Sequence, residues 1–458
     1  MTEKSPKTNW YLYFSVFSAN LAVFAGGGCW TWTSPILPKL KSEDNSVNVL
    51  GRPITVEEET WLVSFMQVGL VCSTPVSLFL HKFFTKKSVL LIVSIPLVLA
   101  HILLMFPDKI GYFFVARFFM GMTTGSLWTV LPNYVAEIAQ DNNRGFFGTM
   151  AGVMGAAGSM VSYLVGPYLT LWSFSIVNLV PLVLFYVFYG FFSPDSPYDL
   201  IIKEKLVKAE KSLSKLRFNS NVEKELSDIA SSIKSGNDKT FMDLFKDRGL
   251  KKALKICLFL MAFQQLSGIG AVVSYTETIF QMAGSVIRSD ISASVVGSVS
   301  LLSVLISSRL IDTMGRKILL VISCTLAFIS LSALSVYFFL YDNGIDTSPI
   351  FWIPIVSLIL YILAFNIGLA ALPWVILGEV FSSSVKNSAS FIVCITNYVI
   401  CLGVTISFSY LVQLAGIGST FLIFAVIMLT GAIYCCTVVP ETKGKSFQDI
   451  QVMLNVKS

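Results

Sequence analysis

Charge is scarce in this chain: only 13% of its 458 residues are Asp, Glu, Lys or Arg. A soluble protein of this length needs far more charge to cover its surface, so that class is excluded. Histidine is nearly missing, with His81 and His101 alone. There is no metal-ligand cluster, phosphate loop or convincing acid–base pair, so an enzyme is the least supported class, and no cofactor or metal is expected. No Asn-X-Ser/Thr acceptor occurs, so glycosylation of the first outer loop is not expected. The first nine residues are polar and lead straight into a full-length apolar run, so no cleavable signal peptide is expected. All eight cysteines fall inside apolar runs and form no extracellular disulfide framework. Cys435 and Cys436, at the inner end of the last run, are either acylation sites or lipid-facing fillers.

Hydrophobicity is what the chain has in excess, at 54% apolar residues and a mean hydropathy of +0.73. Apolar runs of about twenty residues recur, each long enough to cross a bilayer core of about 30 Å. Twelve spans are predicted, at 10–37, 61–80, 88–106, 111–134, 145–166, 172–192, 253–282, 291–311, 318–340, 350–377, 388–411 and 419–439. With both termini on one side, five of the 33 Lys and Arg (Lys39, Lys41, Arg52, Lys109, Arg288) fall in outer loops and Arg117 falls in a span. The other 27 lie on the inner side, which places both termini in the cytoplasm of a multi-pass plasma-membrane protein.

The longest polar stretch, 193–252, splits the spans into two sets of six. Within it Leu200, Leu206, Leu213 and Leu216 fall near one face of an amphipathic helix, either lying on the membrane interface or solvated as a linker. The two sets repeat each other at three landmarks. "HKFFTKKSVLL" at His81 corresponds to "DTMGRKILL" at Asp312. Glu137 with Arg144 corresponds to Glu379 with Lys386, and "PDS" at Pro194 to "PET" at Pro440. The fold class expected is an all-α membrane protein, twelve transmembrane helices in two pseudo-symmetric six-helix bundles. Its parts are 1–192, a cytoplasmic linker 193–252, 253–439, and a cytoplasmic tail 440–458. In carriers built this way the solute binds near the midplane between the halves.

Span seven is unusual, because "FQQLSGIGAVVSYTETIF" places amides, hydroxyls and Glu277 in a bilayer-crossing segment. Polar groups there face water or one another. On a continuous helix Gln264, Gly268, Ala271, Tyr275 and Thr278 form one stripe. Amides both donate and accept, as sugar hydroxyls do, and an aromatic ring packs on a sugar's C–H faces. The alternative is that Gln264 and Gln265 bridge neighbouring helices.

Several stretches resemble the sugar porters of the major facilitator superfamily, the group of facilitative glucose carriers and insect trehalose carriers. They are "RFFMG" at Arg117, "PNYVAEIAQDNNRG" at Pro132, "PDSP" at Pro194, "QQLSG" at Gln264, "DTMGRK" at Asp312, "PWVILGEVF" at Pro373 and "PETKGKSF" at Pro440. The resemblance implies the major facilitator fold and a sugar substrate, bound by Gln264, Gln265, Tyr275, Ser300, Trp374 and Asn397. It also implies a charged network at the inner ends, from Glu137, Arg144, Asp312, Arg316, Glu379, Lys386 and Glu441, that latches the halves when the cavity opens outward. The chain departs from the pattern where His81, Phe84 and Thr85 erode the first-half loop and where Tyr198 replaces an arginine. Gly152, Gly270, Ser300, Asn366 and Cys401 stand where glucose carriers have longer polar or acidic side chains, leaving more room and fewer hydrogen-bonding arms.

The resemblance places an acid in span one of proton-coupled sugar porters, and no acid occurs from Leu12 to Pro38. Facilitated diffusion is therefore expected, with Glu277 the candidate for proton coupling if it does not simply snorkel to outer water. The function expected is passive transport of a neutral sugar, a hexose or a disaccharide such as trehalose, by alternating access. A polyol carrier and a sensor that hardly transports are the alternatives. The partners expected are the sugar and the bilayer, with no nucleic acid and no obligate protein partner.

Overall fold

A computed structural model describes residues 10–140, 143–217, 222–235, 243–283, 288–381, 383–443, 445, 449–450 and 452–453. The described residues are helical with connecting turns. In chain order the helices are α1 (Trp10–Thr31), α2 (Thr33–Lys41), α3 (Val56–Phe83), α4 (Lys86–Leu103), α5 (Ile110–Ile138), α6 (Arg144–Val165), α7 (Leu171–Leu184) and α8 (Gly190–Phe192). After the sixth pass come α9 (Pro197–Ile202), α10 (Leu206–Leu216), α11 (Glu223–Ser235) and α12 (Asp243–Lys246). The second set is α13 (Arg248–Leu266), α14 (Ile269–Met282), α15 (Ser289–Met314), α16 (Arg316–Asp342), α17 (Ile353–Ala364), α18 (Leu372–Val380) and α19 (Ser383–Thr437).

Ten helical segments are long and apolar enough to cross a membrane. One of these contains two passes, because α19 turns at Gly416, whose φ of +79° suits glycine. With α5, a 29-residue helix carrying Arg117, the passes number twelve among the described residues.

Packing follows the two sets. In the first, α3 packs on α5, α1 on α6 and α4 on α5; in the second, α16 packs on α19, α13 on α19 and α16 on α17. In lipid the association of helices rests on close packing, and small residues let backbones approach. The α3–α5 crossing illustrates this: a β-carbon on Gly121 would sit 1.8 Å from the Met66 carbonyl oxygen, and one on Gly69 2.1 Å from that of Phe118. The sets meet where α6 packs on α15, α3 on α19 and α2 on α14.

Passes one and seven, which correspond in the repeat, are both interrupted. Pass one is interrupted between α1 and α2 at Trp32, whose dihedrals (φ −52°, ψ −39°) stay helical. Pass seven was expected as one helix over 253–282; it is instead broken at Gly268, whose φ is +84°. That left-handed conformation costs a side-chain-bearing residue about 1–2 kcal/mol, and a β-carbon there would lie 2.5 Å from the Phe424 ring. A second irregularity falls at Tyr275 (φ −112°, ψ 15°). The single stripe from Gln264 to Thr278 is therefore corrected to two short faces on separate helices. The tenth pass is interrupted too, by a π-helical turn at Phe365–Leu369, with Pro373 in the first turn of α18, where its missing N–H is harmless.

Within the polar stretch, the segment from Leu200 to Leu216 forms two short helices rather than one. Glu204 (φ +58°) separates α9 from α10. Leu200, Leu213 and Leu216 are buried while Leu206 is exposed, so Leu206 leaves the face expected for it. Arg217, at the end of α10, donates to the carbonyls of Ile138 and Ala139 at the inner end of α5. It also pairs with Glu225 of α11 at 2.8 Å.

Candidate functional site

The amides of pass seven meet those of pass eleven. Gln264 Nε2 donates to the carbonyls of Leu369 (2.7 Å) and Ala370 (3.1 Å), at the end of the π-helical turn of pass ten. Asn397 Nδ2 donates to Gln264 Oε1 at 2.9 Å, and Gln265 Nε2 donates to Asn397 Oδ1 at 3.0 Å. The three side chains form one row between α13 and α19, tied to the backbone just before α18, and all are buried. A row of amides tied to a broken helix can report on a solute and move with that helix, and it also holds the three helices together.

The remaining sugar-site candidates have partners outside this row. Tyr275 is buried, stacks near Phe408 and shares a hydrogen bond with Ser409 at 3.0 Å. Ser300 accepts from Asn366 Nδ2 at 3.3 Å, and Asn366 also donates to Ser303 at 2.8 Å. Trp374 is partly buried against Leu70, Cys394 and Tyr398, at the contact between the halves. Arg117 has no carboxylate partner among the described residues. Its guanidinium donates to the Cys29 (2.7 Å) and Leu62 (3.3 Å) carbonyls. It also lies 5.8 Å from the Trp32 ring centroid, a cation–π arrangement suited to a desolvated charge.

On the face away from the polar linker, here called outer, the halves are joined by hydrogen bonds that sequence reasoning missed. Thr33 of α2 donates to the Ser274 carbonyl (3.1 Å), and the Glu277 N–H donates to Ser34 (3.1 Å). Tyr163 of α6 donates to the Val273 carbonyl (2.9 Å) and shares a hydrogen bond with Thr276 (3.0 Å), while Ser294 of α15 donates to the Tyr163 carbonyl (3.2 Å). The interrupted helices α2 and α14 thus close on each other. Their only sequence signal was polarity near the ends of two corresponding passes. Glu277 is 8% exposed, and its Oε2 has no hydrogen-bond partner among the described residues. It lines an outer recess of about 410 Å³ with Lys39, Gln281, Arg288 and Asp290.

At the inner face the charged candidates gather in two clusters, one per half. In the first, Lys86 pairs with Glu137 (2.9 Å) and with Asp199, and Ser196 donates to Glu137 at 2.5 Å. Lys86, Ser196 and Asp199 were not anticipated, because the pairing spans long separations. In the second, Arg316 pairs with Glu379 at 2.9 Å, and Thr442 donates to Glu379 at 2.5 Å. Glu441 accepts the backbone N–H groups of Arg316 (3.0 Å), Lys317 (3.1 Å) and Lys443 (2.9 Å). Burial pushes the Glu441 carboxyl up, but those N–H groups from Lys443, Arg316 and Lys317, with the Arg316 charge, hold it below its ordinary range. Lys386 donates to the Gly378 carbonyl at 3.3 Å. The side chains of Arg144 and Asp312 lie outside the described residues.

A profile of the family described as "Sugar (and other) transporter" matches residues 33–454. This chain belongs to that family. Among the relatives of this sugar transporter family member is the facilitated trehalose transporter Tret1 of Bombyx mori, 33% identical over 410 residues that cover 88% of this chain and 80% of that protein. The protein of the same description from Anopheles gambiae is 29% identical over 455 residues, covering 97% of this chain and 57% of its own length. The chain thus spans little more than half of that mosquito relative.

Among solved structures, the chain superposes on the xylose transporter XylE from E. coli in a partially occluded inward-open conformation. The TM-score is 0.78 at 21% identity, covering 95% of this chain and 99% of that one. The same proton:xylose symporter bound to 6-bromo-6-deoxy-D-glucose gives 0.77 at 20% identity. These likenesses establish the major facilitator fold, and the family match with the long apolar helices makes the chain a multi-pass membrane protein.

Proposed function

We propose that this chain carries a neutral sugar across a membrane passively, by alternating access, with trehalose the first substrate to test. The two halves are 1–192 and 253–439, joined by the linker 193–252 and followed by the tail 440–458. Both termini are cytoplasmic and the membrane is the plasma membrane. The observation that carries the reading is the arrangement at the interface: α2 and α14 are hydrogen-bonded at the outer end, while each inner charged cluster closes within its own half. Two halves that seal at one face around a buried polar row are what a rocking carrier requires. In this reading Gln264, Gln265, Tyr275, Ser300, Trp374 and Asn397 line the sugar path. Glu137, Arg144, Asp312, Arg316, Glu379, Lys386 and Glu441 belong to the inner gate. The trehalose choice follows the names of the insect relatives.

Proton coupling is the second reading, favoured by Glu277 Oε2, which has no hydrogen-bond partner among the described residues. The test is uptake of labelled trehalose, glucose and sucrose into proteoliposomes, with and without a protonophore. Saturable uptake of a sugar, indifferent to the protonophore, supports passive transport. Loss of uptake with protonophore and in Glu277→Gln supports coupling. Uptake of none of the three rejects the sugar reading.

A further inference from the structure

The second half supplies the amides of the site, yet these are largely engaged with one another: Gln264 with Asn397 and two carbonyls, and Gln265 with Asn397. A solute held between two halves needs polar groups from both. The first half presents one such group in an unusual state. Gln67, in the middle of α3, is fully buried, and neither its Nε2 nor its Oε1 has a hydrogen-bond partner among the described residues. It reaches across to the thiol of Cys401 on α19, a weak donor and weak acceptor. Cys401 is one helical turn beyond Asn397, so the Gln67 amide extends the polar row across the boundary between the halves.

The neighbourhood is small-sided. A β-carbon on Gly270 would lie 3.3 Å from the Cys401 sulfur and 3.4 Å from the Thr405 hydroxyl, so small residues let α14 approach α19 closely beside Cys401. Burying an amide that meets only a weakly bonding thiol costs free energy that packing alone does not return. An apolar residue would suit a merely structural contact between α3 and α19 better. A polyhydroxyl solute, which donates and accepts through each hydroxyl, satisfies both ends of such an amide at once.

We propose that Gln67 is the first half's substrate-contact residue, hydrogen-bonding a hydroxyl of a neutral sugar opposite the Gln264–Asn397–Gln265 row. This rests on the sugar-carrier reading above. It makes Gln67 a determinant of affinity and sugar selectivity, coupling α3 to α19 through the solute.

The experiment is sugar uptake into proteoliposomes by the full chain, its Gln67→Leu variant and the double variant Gln67→Leu with Cys401→Asn, each with a thermal unfolding curve. One or two lost hydrogen bonds to the solute correspond to a rise in KM of about tenfold. Gln67→Leu is expected to raise KM by that factor, keep the unfolding temperature and alter the ratio of disaccharide to hexose uptake. Asparagine at 401 restores an amide facing the same space and is expected to recover most of the lost affinity. An unchanged KM and sugar ratio in Gln67→Leu overturns the proposal, as does a loss confined to maximal rate that asparagine at 401 does not recover. If the unaltered chain takes up no sugar, the carrier reading fails and the proposal with it, an outcome distinct from the other two.

Discussion

Tyr163→Phe tests the outer closure with little disturbance of packing. The substitution keeps the ring between α6, α14 and α15 and removes the hydroxyl that bonds the Val273 carbonyl at 2.9 Å and Thr276 at 3.0 Å. When the outer face opens these groups meet water, so their bonds favour the closed state alone. A net contribution of about 0.5–1.5 kcal/mol per hydrogen bond puts the loss of the two at about 1–3 kcal/mol. That raises the outer-open population relative to the closed one by about 5- to 150-fold. The assay uses a cysteine at Ser274, which is 1% exposed beneath this contact. It measures the rate of modification by a membrane-impermeant maleimide applied from outside, with the chain lacking that cysteine as the blank. The rate is expected to rise by about the same factor in Tyr163→Phe. A rate unchanged within twofold, in a variant that unfolds at the same temperature, refutes the claim that these bonds hold the outer face shut.

The other predictions concern the broken helix and the inner clusters. Gly268→Ala forces a β-carbon into a φ of +84° and against the Phe424 ring; thermal unfolding should show a loss of about 1–3 kcal/mol, only part of it recovered by adding Phe424→Ala. Glu379→Lys sets two cations facing each other in place of the 2.9 Å pair with Arg316; transport should fall while surface expression stays, and unchanged uptake would count against a gating role. Glu441 has a depressed folded-state pKa, so its stabilisation is complete above the ordinary carboxylate value and disappears as pH falls through the folded one. The stability difference between the unaltered chain and Glu441→Gln should therefore be flat from pH 5 to 8 and shrink below about pH 4. A difference that varies between pH 5 and 8 would refute that assignment.

Much of the architecture was legible because lipid imposes a simple rule: each pass must be apolar and about twenty residues long. Hydropathy therefore located α3, α4 and α15, and landmark spacing exposed the repeat. What escaped was conformational. Nothing in the composition of "QLSGIGA" separates a glycine tolerated inside a helix from one that ends it, and Gly268 ends α13. The site divided in the same way. Gln264, Gln265 and Asn397 stood out because amides are costly in hydrocarbon, but their pairing with one another and with the Leu369 carbonyl depends on contacts over a hundred residues apart. Lys86 with Asp199, Tyr163 with Thr276 and Gln67 with Cys401 are equally non-local. Each joins side chains that look ordinary in their own segments. Leu206 failed for a local reason, since Glu204 interrupts the helix that would have turned it inward.

The central claim is that a sugar passes between two halves that open alternately, and counterflow tests it most directly. Proteoliposomes loaded with unlabelled trehalose and diluted into tracer trehalose should accumulate label transiently above its equilibrium level, because a loaded carrier returns faster than an empty one. Label that rises monotonically to equilibrium, at the same rate in loaded and empty vesicles, would contradict a carrier and leave only a pore or no pathway for this sugar.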